Sequence, residues 1–93
     1  MPRAIVLHED DNIATLIDDA SKSDAVAFDG KKKGKLILAA NVPYGHKFAL
    51  KGISAGGDIL KYGQVIGRAT TAIAAGEHVH VHNVEALRAR GDI

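Results

Sequence analysis

Ile53-Ser54-Ala55-Gly56-Gly57-Asp58-Ile59-Leu60 and Ile73-Ala74-Ala75-Gly76-Glu77-His78-Val79-His80 are the two stretches that decide the fold. Each reads isoleucine, small residue, alanine, glycine, two small or polar residues, then an apolar residue. Glycine enters the positive-φ region that tight turns require at no steric cost. The unit is therefore a strand end, a glycine turn and a new strand, and two copies point to a pseudo-repeated β fold. Outward from these copies, glycines at 45, 52, 63 and 67 cut the neighbouring sequence into short apolar runs. Short runs with regular glycine turns argue for bent strands in a compact barrel-like body.

Residues 4–7, 25–28, 36–39 and 48–50 read as further strands, and Asp29-Gly30 is a hairpin dipeptide. Residues 13–17 read two ways. Asn12 can cap a short helix running to Ala20, with Ile13, Leu16 and Ile17 on one face, or the segment is a strand. Glu85 to Arg90 can form a second short helix ended by Gly91. The expectation is one all-β domain over residues 1–93 with at most one or two short helices, near 13–20 and 85–90.

The chain has 93 residues, 46% of them hydrophobic and 25% charged, an ordinary globular composition. A domain this small buries only about 60–65% of its unfolded surface. Its core is thin, and cover from a partner or a second copy would help it. The net charge is +1, and no basic character points to nucleic acid. Without cysteine there is no disulfide, thiolate metal site or cysteine nucleophile. The N-terminus lacks the apolar stretch of a signal peptide, and no run approaches the ~20 residues of a membrane helix. The chain reads as cytoplasmic, with no membrane partner.

Three of the five histidines lie in His78-Val79-His80-Val81-His82-Asn83. On a strand, alternation puts His78, His80 and His82 on one face, about 7 Å apart. That spacing lets two imidazoles converge on a metal such as zinc, iron, copper or nickel. A half-buried strand with a polar outer face would look the same. His80 and His82 are the expected metal pair, because Asn83 beside them adds a hydrogen-bonding group; His78 is given no essential role. Gly45-His46-Lys47 displays an imidazole and an ammonium on one turn, able to grip a carboxylate, although a plain surface turn has the same composition. His8, with Glu9, Asp10 and Asp11 beside it, could join a metal site, but a strand end before a solvated acidic turn is the preferred reading. Lys31-Lys32-Lys33-Gly34-Lys35 reads as a solvated hairpin tip, because no aromatic is interleaved for base stacking. Arg90-Gly91-Asp92 carries no adhesion reading in a chain without a secretion signal. No Walker loop or serine-hydrolase elbow is present.

The blocks Val42-Pro43-Tyr44-Gly45-His46-Lys47-Phe48-Ala49-Leu50, Lys61-Tyr62-Gly63 with Ile66-Gly67, and Gly76-Glu77-His78-Val79-His80-Val81-His82-Asn83 resemble the SAF-type domain that begins altronate dehydratases. They also resemble the small subunit of sulfolactate sulfo-lyase. The resemblance implies a β-clip fold, a compact structure of long bent hairpins. It implies a large catalytic subunit or region as partner, a hydroxy-acid or sugar-acid substrate, and a divalent metal, with iron expected. It places a His-x-His-Asn motif on His80, His82 and Asn83 and a Gly-His-Lys motif on Gly45, His46 and Lys47; His80 and His82 would then be metal ligands or line the entrance, and His46, Lys47 and Asn83 would contact substrate. Galactarate dehydratases are similar over the His-Lys and Tyr-Gly blocks but lack the two histidines, which turns the resemblance toward altronate-type or sulfolactate-type enzymes. The Lys31 to Lys35 run departs from the family pattern. A non-catalytic module that binds acidic or carbohydrate ligands, or covers a partner's active site, is the reading from a different class. Self-association is compatible with the thin core and open strand edges.

Overall fold

The computed structural model describes residues 1–87 of the chain. Its elements are nine strands: β1 (Arg3–Val6), β2 (Ile13–Leu16), β3 (Ala25–Gly30), β4 (Gly34–Ile37), β5 (Lys47–Ala49), β6 (Asp58–Lys61), β7 (Gln64–Ala69), β8 (His78–Val79) and β9 (Val84–Ala86). Six of them form a sheet in the order β4-β3-β1-β2-β5-β8, and three form a second in the order β6-β7-β9. Neighbours are antiparallel except β1 and β3, which run parallel. The all-β expectation holds.

The repeat read from the sequence is real, and it has four copies rather than two. The first residues are Ala20, Val42, Ile53 and Ile73, each in an isolated bridge, and each is followed by a tight turn and a strand. The third turn residue is Ser23, Gly45, Gly56 or Gly76, with φ of 76°, 81°, 82° and 84°. Each turn closes by the same bond, from the fourth residue's N–H back to the first residue's carbonyl. Asp24 donates to Ser21, His46 to Pro43, Gly57 to Ser54 and Glu77 to Ala74, at 3.0, 3.0, 2.8 and 3.1 Å. Positive φ at the third position with this closing bond is the type II pattern.

The copies meet in two pairs. Ile53 and Ile73 exchange both backbone hydrogen bonds, each 2.8 Å, and Ala20 and Val42 do the same at 3.2 and 2.9 Å. In every copy the residue four places earlier (Leu16, Leu38, Ala49 or Ala69) receives its partner's positive-φ N–H and donates back to that turn's fourth residue. Each pair is thus a local two-fold unit, and each has its own core. Leu16, Ala20, Leu38 and Val42 lie in one apolar cluster with Val6, Val26 and Phe48. Ala49, Ile53, Ala69 and Ile73 lie in the other with Ile13, Ile59 and Val79.

Strand β2 joins the two cores. Ala14 and Leu16 enter the first, and Ile13 enters the second. Asp11 and Asn12 reinforce the junction from inside the protein. The Asp11 carboxylate accepts from the Tyr62 and Gly63 N–H groups (3.1 and 2.8 Å). The Asn12 side chain accepts from Leu60 N–H (2.9 Å) and donates to the Asp58 carbonyl (2.8 Å). The β6–β7 hairpin is thereby stapled to the chain entering β2.

One open reading is decided and two local expectations are corrected. Residues 13–16 form a strand, not the start of a helix, because Asn12 spends its side chain on β6 instead of capping and β2 is buried between β1 and β5. Residues 84–86 form β9 against β7, so the second helix does not begin at Glu85; Leu87 is helical, and the rest of the expected helix lies outside the described residues. The strand carrying the clustered histidines ends at Val79, and residues 81–83 turn. Among the described residues no helix is long and apolar enough to cross a membrane.

Candidate metal centre

The turn copies at Val42 and Ile73 launch β5 and β8, and these two strands are antiparallel neighbours. Lys47 faces Val79 and Phe48 faces His78. One further step in that register sets His46 across from His80. A histidine just before β5 therefore meets two histidines more than thirty residues later. The His46 ring centroid lies 5.1 Å from that of His78 and 4.6 Å from that of His80, and the His78 and His80 rings stack at 5.3 Å. One ligand nitrogen from each of His46, His78 and His80 lies within 4.8 Å of the others.

His46 Nδ1 and His78 Nε2 are 2.9 Å apart, within hydrogen-bond distance. Only one of these two nitrogens can carry a proton in that contact, so the ring that accepts is neutral. Burial, and then the neighbouring His46, His80 and His82 and the Lys47 ammonium, hold the His78 pKa below its ordinary value. Neutral imidazole is also the form that binds a metal. Nitrogens about 2.0–2.1 Å from a tetrahedral zinc would be roughly 3.3 Å apart, so small ring rotations bring this set onto one ion. Three imidazoles with one side open leave a coordination position for an exogenous oxygen.

The backbone of the histidine loop is held by Asn83, which is buried at 2% exposure. Its Oδ1 accepts from His80 N–H (3.0 Å), and its Nδ2 donates to the His78 carbonyl (2.9 Å). Its own N–H donates to the His80 carbonyl and its carbonyl accepts from Thr70 N–H, tying the loop to the end of β7. His80 and Lys47 also border an open cleft of about 260 Å³ whose other walls are Ile59, Ile66, Val79, Val81, Val84 and Ala86. Lys47 is half-buried, and among the described residues no carboxylate pairs with it. Burial, and secondarily the charge of Lys61, lower its pKa from the usual lysine value.

The structure thus brings His80 together with His46 and His78, while His82 stands outside the set. The exposed His82 ring touches the cluster only at its edge, 5.4 Å from His78. His46, Lys47 and Asn83 all lie in or beside the cluster, but the Asn83 side chain is occupied by backbone groups. His8 packs over Gly63, its Nδ1 accepting from Asp10 N–H at 3.0 Å, outside the cluster. Strand alternation pairs histidines only within one segment and therefore missed His46 as a neighbour of His78. The available signal was the second turn copy, Val42-Pro43-Tyr44-Gly45-His46-Lys47, which starts its strand as Ile73 to His78 does.

The family described as the altronate/galactarate dehydratase SAF domain matches residues 2–87. Altronate dehydratase of Escherichia coli (strain K12) is 42% identical over 79 residues, covering 85% of this chain and 15% of that enzyme. Galactarate dehydratase (L-threo-forming) of the same organism is 40% identical over 76 residues, 81% of this chain and 14% of the enzyme. The (2R)-sulfolactate sulfo-lyase subunit alpha of Paracoccus pantotrophus is 41% identical over 54 residues, 58% of this chain and 81% of that subunit. This chain therefore spans about one seventh of the two dehydratases. With 86 consecutive residues matched, it belongs to the altronate/galactarate dehydratase SAF-domain family.

Proposed function

We propose that this domain is the histidine-bearing accessory part of a metal-dependent sugar-acid dehydratase of the altronate type, working with a separate large catalytic subunit or region in the cytoplasm. The observation that carries the reading is the convergence of His46, His78 and His80 on one point, with His80 also bordering an open cleft. These three imidazoles would hold a divalent metal, and iron is the expected ion from the family resemblance. When bound, such a metal acts as a Lewis acid toward substrate oxygen. The other contributions belong to the chain itself. Lys47 places beside His80 an ammonium with no carboxylate partner among the described residues, where it would bind and orient a substrate carboxylate. The apolar walls of the cleft limit water around that ion pair and so strengthen it. Proton abstraction and departure of the leaving group are assigned to the partner, since the described residues enclose no deep catalytic pocket of their own.

A second reading is the small subunit of a sulfolactate sulfo-lyase. It is favoured by coverage, because the match takes in 81% of the Paracoccus subunit. Co-purification of the tagged chain from its host, with each acid assayed on the complex, separates the two. Titration of the chain with zinc or ferrous ion tests the centre. His46→Ala, His78→Ala and His80→Ala are each expected to weaken binding about tenfold or more, and His82→Ala by much less. Undiminished metal binding by all three variants would remove the metal from the reading and leave a lid or binding module.

A further inference from the structure

We infer that Asn83 is a positioning residue for the histidine cluster, not a ligand for substrate or metal; the inference rests on the proposed metal centre and deepens it. Every polar group of Asn83 is already committed. Its side-chain oxygen accepts from His80 N–H, its side-chain nitrogen donates to the His78 carbonyl, its N–H donates to the His80 carbonyl and its carbonyl accepts from Thr70 N–H. No other described side chain bonds the backbones of both His78 and His80. These are two of the three residues whose rings meet, and His80, beyond the end of β8, lies outside the sheet ladder. An exposed histidine just past a two-residue strand, followed by a turn, would swing freely without such a clamp. Val79 between them is buried, so the clamp pins one side chain into the core and aims its two neighbours at His46. The cleft, by contrast, is lined by Lys47 and His80 but not by Asn83, so no face of Asn83 is offered to a ligand.

Asn12 supplies the control. It is also buried, and it makes the same two kinds of side-chain bond, accepting from Leu60 N–H and donating to the Asp58 carbonyl, outside the histidine loop. The 93-residue chain and its Asn83→Ala and Asn12→Ala variants are titrated with zinc alone, and thermal unfolding is followed in parallel. Both variants are expected to lose stability. Only Asn83→Ala is expected to weaken zinc binding by the folded protein, by about ten- to a hundredfold, the range for a residue that orients metal ligands. Equal zinc affinities in the two variants would reduce Asn83 to a merely structural residue and overturn the inference. If the unaltered chain binds no zinc, the metal reading fails and the Asn83 assignment is decided by proton NMR contacts among the His46, His78 and His80 rings. Loss of these contacts in Asn83→Ala but not in Asn12→Ala upholds the assignment, and their persistence in both refutes it. Should Asn83→Ala not fold, two observations decide. Asn83→Asp keeps the acceptor for His80 and loses the donor to His78, so it should displace the His78 ring while leaving the His80 amide protected. In the unaltered chain the Asn83 side-chain amide protons should exchange slowly; fast exchange there, or an unmoved His78 ring in Asn83→Asp, counts against the clamp.

Discussion

Alanine placed at the third position of each repeated turn separates backbone strain from steric collision. Gly56 and Gly76 occupy equivalent positions with φ of 82° and 84°, so the conformational penalty is the same in both. Positive φ costs an L-residue about 1–2 kcal/mol, and alanine returns about 0.4–1 kcal/mol by restricting the unfolded chain. Gly56→Ala meets nothing within 4 Å and should therefore destabilise by about 1 kcal/mol, a fall of roughly 4–8 °C in Tm. At Gly76 the new Cβ would come within 3.0 Å of Ala39 N and closer still to the Ile37 carbonyl. Both contacts are backbone, and Ala39 N–H already donates to the Gly76 carbonyl at 2.9 Å. Relieving the collision must displace β4 or stretch that bond, adding about 1–3 kcal/mol. Gly76→Ala should thus cost about 2–4 kcal/mol in all. Ser23 already tolerates φ of 76°, and Ser23→Gly should stabilise by up to about 1 kcal/mol, the relieved strain less the entropy of glycine. Urea unfolding followed by circular dichroism reads all three. Equal midpoints for Gly56→Ala and Gly76→Ala would refute the packing of β4 against the fourth turn, and a loss of stability in Ser23→Gly would refute the equivalence of the four turns.

The depressed pKa of His78 sets the sign of a pH effect: its contribution is fully present above about 6.5, the ordinary histidine value, and is lost as pH falls from there toward the lowered one. Unfolding midpoints of the metal-free chain should fall over that window, and His78→Gln should flatten the fall; an unchanged profile in that variant would locate the effect elsewhere. Asp11→Ala leaves the Tyr62 and Gly63 N–H groups without their buried acceptor and should cost about 1–3 kcal/mol for each group that water cannot reach. Hydrogen exchange should show those two amides among the most accelerated, and protection equal to the unaltered chain would show that the staple does not hold the hairpin. Lys47→Ala should leave zinc affinity within about twofold, because a charged ammonium is not a ligand, while weakening binding of a hydroxy-acid to the assembled complex. A parallel loss of both would place Lys47 in the metal centre itself.

The all-β class was legible in the chain because it is written locally. Glycine at 56 and 76 is demanded by backbone sterics inside a six-residue window, and the short runs between turns leave room only for strands. That the other two turns belong to the same repeat was hidden by chemistry. Ser23 takes the positive-φ position without being glycine, and Pro43-Tyr44 replaces the small residues of the other copies. Residues 13–16 resisted reading for a different reason: a strand buried on both faces has no alternation to separate it from a buried helix. The candidate site was half legible. His80, His46 and Lys47 stood out as residue types, yet their grouping depends on β5 lying beside β8, a pairing across some thirty residues that no local pattern encodes. The same holds for Asn83, a polar residue beside histidines in sequence, which only the turn after β8 folds inward onto the backbone it holds. Residue chemistry and turn sterics are short-range and survive in the sequence. Which side chains share a point in space is set by strand pairing, and only the tertiary structure brought the His46 ring, from a distant segment, within reach of His78 and His80.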